Sequence, residues 1–426
     1  MSAKTLVYGF DHRHRQPPKE LADLLGGKGA NLAEMASVLR LPVPPGFTIT
    51  TDACRSYLRS GWPAQLDQQL ERHLIRLEKQ SGRTFGDPHD PLLVSVRSGA
   101  RFSMPGMMDT ILNLGLNDRS VRGLASITGD PAFAYGSFAR LISMYGRVVL
   151  GIDAAPFDDQ QDAAMATEGV TDAVELSAPA WKQLCRHHKV ALRKASGRPF
   201  PQQPAAQLRG AVEAVFSSWN TDRAVAYRTQ EHIAHDLGTA VNVQAMVFGN
   251  RGDDSGTGVA FTRNAATGEA RPYGDYLARA QGEDVVAGVR ITEPLDALAT
   301  RFPDLHAQLL GYMHELEGHY RDMLDLEFTI EQGTLWMLQV RVGKRTGAAA
   351  LRMAVEMTVD DNIRLTHAEA VARITPAHLD QLLHPRLADG DHVTLTTGLA
   401  ASPGAAVGEV VFTADDAVAR AAAGTP

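Results

Sequence analysis

Only two cysteines occur in the 426 residues, Cys54 and Cys185. They form no Cys-x-x-Cys pair, which excludes a disulfide scaffold and argues against a cysteine-built zinc site. A reducing cytoplasm is the expected compartment. No run of about 18 apolar residues exists, so no transmembrane helix is expected. The segment Met1–Thr5 lacks the apolar core of a signal peptide. Positive charge is not in excess: 42 Lys and Arg against 49 Asp and Glu give a net charge of −7. That argues against broad nucleic-acid binding, because neutralising phosphates needs a basic surface, but it leaves room for a small basic pocket. With 38 Gly and 22 Pro the chain is neither collagen-like nor of low complexity. What is present, 44% apolar and 21% charged residues, is ordinary for a globular protein. The length suggests about three domains and allows an enzyme with a cleft.

The periodicity sketches the elements. Thr5–Phe10 reads as a short strand. Gly26-Gly27-Lys28-Gly29 leads into a helix over Ala30–Leu39, stopped by Pro42, Pro44, Pro45 and Gly46. Phe47–Thr50 is a strand, Thr51-Asp52 offers a helix cap, and Leu66–Gln80 is an amphipathic helix. Leu92–Val96 is a buried strand that delivers Arg97 and Arg101. Residues 118–220 are mostly helical in pattern, with a polar break near Gln160–Glu168. Ala240–Phe248 and Gly258–Arg263 are strands joined by the glycine-rich segment 249–257. A helix over 305–323 precedes a switch from period 3.6 to period 2, which predicts a hairpin: Leu326, Phe328 and Ile330 alternate with polar residues, Gly333 turns, and Leu335–Arg341 returns. Helices and loops fill 346–390, and a β pattern resumes at Val393.

The hairpin carries the most chemistry. If its loop holds an odd number of residues centred on Gly333, Glu327 opposes Gln339 and Asp325 opposes Arg341, and all four share a face. Two carboxylates at i, i+2 suit Mg²⁺, which takes oxygen ligands and keeps waters and substrate phosphates. A nearby Arg suits a phosphate. The alternative is a solvated face with cross-strand ion pairs. Gly26-Gly27-Lys28-Gly29 is not a Walker A motif, since no Ser or Thr follows the lysine. It reads either as a flexible turn that lets Lys28 reach phosphates or as a helix entry. Arg97 and Arg101, at a strand end, suit an anion or structural ion pairs. Segment 249–257 could close over phosphates through backbone N–H groups or be a hairpin tip. The histidine pairs His12/His14, His187/His188, His232/His235 and His314/His319 fit no metalloprotease motif, and a surface position is expected for most of the histidines. Asp253-Asp254 and Asp360-Asp361 are expected to be solvated.

Taken together, several of these segments closely resemble the pyruvate, phosphate dikinase family. The resemblance is carried by Leu25–Met35 (LGGKGANLAEM), Pro91–Ala100 (PLLVSVRSGA), Ser103–Asn117 (SMPGMMDTILNLGLN), Gly238–Asn250 (GTAVNVQAMVFGN), Ser255–Asn264 (SGTGVAFTRN), Gln281–Arg290 (QGEDVVAGVR) and Leu338–Arg345 (LQVRVGKR). It runs over almost the whole chain. The run Met104–Asn117 separates this family from phosphoenolpyruvate synthase and rifampicin phosphotransferase. Val340 and Val342 stand where the family more often has Thr and Asn.

The resemblance implies an α+β fold: a two-lobed ATP-grasp nucleotide-binding region with a helical insert and the start of a swivelling phosphohistidine domain. The expected division is 1–117 and 203–345 for the lobes, 118–202 for the insert, 346–392 for a helical linker and 393–426 for the partial domain. It also implies that ATP and Mg²⁺ bind between the lobes. Lys28 and Arg97 would be phosphate ligands, Gly106 and Thr110 part of a phosphate-side loop, and Gln244 a residue at the adenine-side hinge. Asp325 and Glu327 would hold Mg²⁺, with Gln339 completing the site and Arg341 on the phosphates. In the family a histidine attacks the β-phosphate of ATP and AMP leaves; the γ-phosphate passes to inorganic phosphate, and the phosphohistidine phosphorylates pyruvate. No His follows His392, and the Thr-Ser-His segment and pyruvate barrel are not recognisable. Three readings therefore stand: a half enzyme that needs a phosphohistidine partner in trans, a non-catalytic or decayed ATP-binding module, and a truncation of a full-length dikinase. A homodimer stays open, and neither nucleic acid nor membrane is an expected partner. Val410–Phe412 is expected as an apolar strand of the partial domain, left mobile rather than docked.

Overall fold

The computed structural model describes residues 4–102, 104, 110–287, 290–383, 393 and 408–424. It divides into two compact units, the first of residues 1–259, 275–306 and 326–341 and the second of 260–274, 307–325 and 342–426. The strands are β1 (Val7–Gly9), β2 (Gly46–Ile49), β3 (Thr84–Phe85), β4 (Pro91–Leu92), β5 (Val94–Gly99), β6 (Ile111–Leu114), β7 (Ala240–Ala245), β8 (Gly256–Phe261), β9 (Tyr273–Ala278), β10 (Glu293–Pro294), β11 (Leu324–Glu331) and β12 (Thr334–Val342). One five-stranded sheet has the order β1-β2-β7-β5-β6 and a second the order β10-β9-β8-β11-β12. Helices and strands thus mix as an α+β fold.

In the first unit the sheet alternates strictly. Phe47 and Ile49, Val94 and Val96, and Val241 and Val243 point one way and are fully buried. They join a core with Phe138, Ile142 and Phe216, supplied by α5 (Pro131–Val148) and α8 (Pro204–Ser218). Each such side chain contributes about 1.5–3 kcal/mol by leaving water. The opposite face carries Thr48, Ser95, Asn242 and Gln244, and these are buried too. Helix α1 (Ala22–Ala33) is packed on these strands.

Helix α1 differs from the expected helix over 30–39. It begins at Ala22 and passes through Gly26, whose φ of 67° breaks the helical path, and a π-helical turn over Glu34–Val38 follows. A Cβ on Gly26 would lie 1.5 Å from the Gly99 carbonyl oxygen, so the kink depends on glycine. Thr50, rather than Thr51 or Asp52, caps α2 (Thr51–Ser60) by accepting from the Ala53 N–H, because it is Thr50 whose backbone is still extended. Helix α3 is Leu66–Ser81, and α4 (Ser120–Thr128) precedes α5.

The expected polar break at 160–168 is helical: α6 runs from Ala155 to Glu168 and buries only Phe157. Its good helix formers make a solvated helix, and polarity alone imitates a loop. Helix α7 (Ala178–Ser196) packs on α5 and α6. It buries His188, an exception to the expectation of surface histidines, with ring nitrogens 3.4 and 3.3 Å from the Ala139 and Phe157 carbonyls. Helix α9 (Asp222–Gln230) and, after β9, α10 (Gly282–Ala287) and α11 (Ala297–Arg301) follow, and α12 spans Pro303–Tyr320.

The second unit has its own core, in which Met353, Ala354 and Met357 of α13 (Gly347–Val359) meet Met323, Ile363 and Leu365. Helices α14 (His367–Ala372) and α15 (Pro376–Leu383) complete it. Asp360 is not solvated as expected. It accepts from Arg263 Nη2 at 2.6 Å, and the same guanidinium holds Glu317 through Nε at 2.9 Å and Nη2 at 3.1 Å. Asp361 does lie at the surface beside Arg364. Val410–Phe412 forms no strand; Val410 and Phe412 are 79% and 94% exposed, and α16 (Ala414–Ala422) follows. A strand needs a paired edge, and no described strand offers one here.

Candidate nucleotide site

Strand β5 runs antiparallel to β7 with Arg97 opposite Asn242. The apolar alternation that buries Val94 and Val96 sends Arg97 to the other face. There Arg97 Nη2 donates to Glu327 Oε2 at 2.7 Å and Nη1 to the Leu338 carbonyl at 3.2 Å. Gln339 Nε2 donates to the second oxygen, Glu327 Oε1, at 2.7 Å. Glu327 and Gln339 thus converge. The strand bounds leave two residues in the turn, Gln332 and Gly333, with φ of 47° and 71°. An even turn does not meet the condition of the parity argument, so the convergence rests on the hydrogen bond. Asp325 is buried two residues earlier in β11.

Lys28 and Arg341 complete the charge pattern. Burial, then Arg97 and Arg341, pull the Lys28 ammonium down to about 7, while Glu327 pulls the other way. Burial alone would raise the Glu327 carboxyl, but Arg97, Lys28 and Arg341, with the Arg97 hydrogen bond, hold it below its ordinary value. Two main-chain ties fix the framework: Asn31 Nδ2 of α1 donates to the Val340 carbonyl at 2.9 Å, and the Met337 N–H to the Pro42 carbonyl at 2.8 Å. Three cations around one carboxylate suit a polyanion that would share Arg97 and free an oxygen of Glu327.

Asp325, Glu327 and Gln339 are hard oxygen donors, which fits Mg²⁺. Among the described residues no group of three or more His, Cys, Asp or Glu could hold a metal ion. Two carboxylates are a number Mg²⁺ accepts while keeping water and phosphate ligands.

The other sequence candidates fall elsewhere. Gln244 is buried in β7 and its Nε2 donates to the Pro44 carbonyl at 3.2 Å. Thr110 directly precedes β6 and is half-buried. Gly106 lies outside the described residues. Arg101 takes the ion-pair alternative, with Asp23 at 2.6 Å. Segment 249–257 is braced on the hairpin turn: the Gln332 N–H donates to Ser255 Oγ at 3.0 Å and the Gly333 N–H to the Asp254 carbonyl at 3.0 Å.

Sequence reasoning passes over Asn242 and Thr48, which read as ordinary strand residues. It also passes over Arg140, whose guanidinium reaches from α5 to Gln281 Oε1 at 2.8 Å and Asp284 Oδ1 at 2.9 Å. Gln281 and Asp284 belong to a recognised motif, but no local signal marks Arg140, which lies 141 residues away from Gln281.

The sequence matches the family model described as "Pyruvate phosphate dikinase, AMP/ATP-binding domain" over residues 22–63 and 62–295. It is 52% identical over 427 residues to pyruvate, phosphate dikinase of Rhizobium meliloti (strain 1021), covering 97% of this chain and 47% of the relative. The Clostridium symbiosum enzyme is 51% identical, with 97% and 47% covered. The chloroplastic pyruvate, phosphate dikinase 1 of Oryza sativa subsp. japonica is 48% identical, with 99% and 45% covered. The chain thus spans about half the length of these relatives. Matched in this way over most of its length, the chain belongs to the pyruvate phosphate dikinase AMP/ATP-binding domain family.

Proposed function

We propose that this chain binds ATP with Mg²⁺ through Lys28, Arg97, Glu327, Gln339 and Arg341, in an ATP-grasp-type fold, as the phosphoryl-donor part of a pyruvate, phosphate dikinase. The observation that carries this is the Arg97–Glu327–Gln339 cluster, with Lys28 and Arg341 acting on the same carboxylate. In this reading residues 1–117 and 203–345 are the lobes, 118–202 the helical insert, 346–392 a linker, and 393–426 the opening of a phosphohistidine domain. Gly106 and Thr110 belong to the phosphate-side loop, and Gln244 to the adenine-side segment.

The residues divide the work by charge. Lys28, Arg97 and Arg341 neutralise the triphosphate, and Gln339 keeps the Glu327 carboxylate oriented. Asp325 and Glu327 would hold Mg²⁺, with Gln339 beside them. When bound, the ion neutralises charge that builds on the β- and γ-phosphates. Phosphoryl transfer depends mainly on such positioning and charge neutralisation. The acceptor of the β-phosphate is a histidine, with AMP as leaving group; the γ-phosphate goes to inorganic phosphate to give diphosphate, and the phosphohistidine converts pyruvate to phosphoenolpyruvate. The histidine and pyruvate sites of this reaction lie outside residues 1–426, on a longer form of the same polypeptide or on a protein in trans.

Calorimetric titration of the chain with ATP and with AMP, both with Mg²⁺, tests the nucleotide reading. ATP should bind at least about tenfold more tightly than AMP, a difference of about 1.4 kcal/mol. Equal affinity, or no binding, defeats it.

A further inference from the structure

Thr48, Asn242 and Arg97 line up across three strands: Thr48 pairs with Asn242 and Asn242 with Arg97. Directly opposite residues share a face, so all three lie on the polar side of the sheet, under α1. Asn242 is fully buried. Its Oδ1 accepts from Thr48 Oγ1 at 2.8 Å, and its Nδ2 is buried with no hydrogen-bond partner. A valine, as at the flanking positions 241 and 243, would bury at no such cost.

Both ends of this amide touch glycine backbone. A Cβ on Gly29 would lie 2.8 Å from Asn242 Oδ1 and 2.6 Å from Thr48 Oγ1. A Cβ on Gly99 would lie 2.6 Å from Asn242 Nδ2 and 3.6 Å from the Cβ of Lys28. The Gly27 N–H donates to the Ala100 carbonyl at 3.0 Å, joining the same two backbone segments. The Asn242 amide is therefore the floor on which the turn around Lys28 and the end of β5 both rest.

We propose that Asn242 is a positioning residue: with Thr48 it sets the height of the Gly29 and Gly99 backbones, and so the base from which Lys28 reaches the terminal phosphates of a nucleotide. The inference rests on the nucleotide reading above. Asn242 touches no ligand, being fully buried, and acts through Lys28. An apolar residue of similar size loses the Thr48 bond and branches against the two glycines, which displaces the Lys28 turn while the adenine end is untouched.

The test is calorimetric titration of the full chain with MgATP and with AMP, on the parent, Asn242→Leu, Lys28→Met and the double variant. Asn242→Ser serves the same purpose if the leucine variant fails to fold by circular dichroism. Asn242→Leu should weaken MgATP about tenfold and leave AMP within twofold. In the Lys28→Met background the same substitution should change MgATP affinity by less than twofold, since the group it positions is gone. Equal loss for MgATP and AMP would mean a general structural role and overturn the proposal. So would a full effect that persists without Lys28, or no effect in either background. A parent that binds MgATP no better than AMP overturns the nucleotide reading itself, and this inference with it.

Discussion

Arg97 and Glu327 are 230 residues apart in sequence and joined by a 2.7 Å hydrogen bond, while Gln339 holds the second oxygen of the same carboxylate. The pair is mostly buried on the arginine side, with 12% of that side chain exposed. A carboxylate so placed is both the partner that keeps Arg97 in the site and the oxygen donor nearest to it.

Removing either side of this arrangement should be felt in binding. Glu327→Ala leaves Arg97 uncompensated and removes a candidate Mg²⁺ ligand. Arg341→Ala removes a charged donor, for which about 1.5–3 kcal/mol is typical. Calorimetry should show each variant losing roughly tenfold or more in MgATP affinity. Parent-like binding by both would show that the nucleotide site is elsewhere.

Lys28 gives the site a pH signature. Its ammonium is held down to about 7, chiefly by burial, so at pH 8 it is mostly neutral in the free protein. A bound triphosphate favours the charged form, and binding at pH 8 should therefore take up close to one proton. Titration in buffers of different ionisation enthalpy measures this, and Lys28→Met should abolish it. Folding follows the same linkage. Between about 7 and the ordinary lysine value of 10.5 the unfolded chain binds more protons, so Lys28 makes stability rise with pH across that window. Uptake unchanged in Lys28→Met would assign the proton to another group.

Gly26→Ala should be damaging out of proportion to its size. Its φ of 67° is unfavourable for alanine, and the new Cβ would meet the Gly99 carbonyl at 1.5 Å. A cost of at least about 1–3 kcal/mol is expected from the backbone alone, together with loss of MgATP binding, because Gly26 begins the Lys28 turn. Urea unfolding and calorimetry check the two effects separately. A variant with parent-like stability and affinity would contradict the kinked helix.

The second unit should depend on Arg263. Its side chain is 2% exposed and holds both Glu317 and Asp360. Arg263→Ala strands a buried carboxylate and should cost about 3–5 kcal/mol. Burial would raise the Asp360 carboxyl, but the Arg263 hydrogen bond, backbone donors and the guanidinium charge hold it below its ordinary value. That stabilisation is present above the ordinary carboxylate range and disappears as pH falls through the depressed value. Asp360→Asn should flatten the acid side of the stability profile, measured by urea unfolding between pH 3 and pH 7. An unchanged acid limb would assign it to other carboxylates.

Much was legible in the chain itself. The alternation in Phe47–Ile49, Val94–Arg97 and Ala240–Ala245 is local, as is the switch of period at Leu324–Val342, and local patterns survive into the fold because strand pleat is fixed by backbone geometry. The glycines around Lys28 and the hairpin residues 327 and 339 are therefore visible as candidates in the sequence alone. Solvated α6 was not, since a polar helix and a polar loop differ only in propensity. His188 and Asp360 were not either, because burial is set by what packs on a residue from elsewhere in the chain. What only tertiary structure decided is the meeting of distant groups: Arg97 with Glu327, Asn242 with Gly29 and Gly99, Arg263 with Glu317 and Asp360. Each is a contact across 50 or more residues that brings charge or polarity into a buried place, and no periodicity in one segment carries the identity of a partner in another.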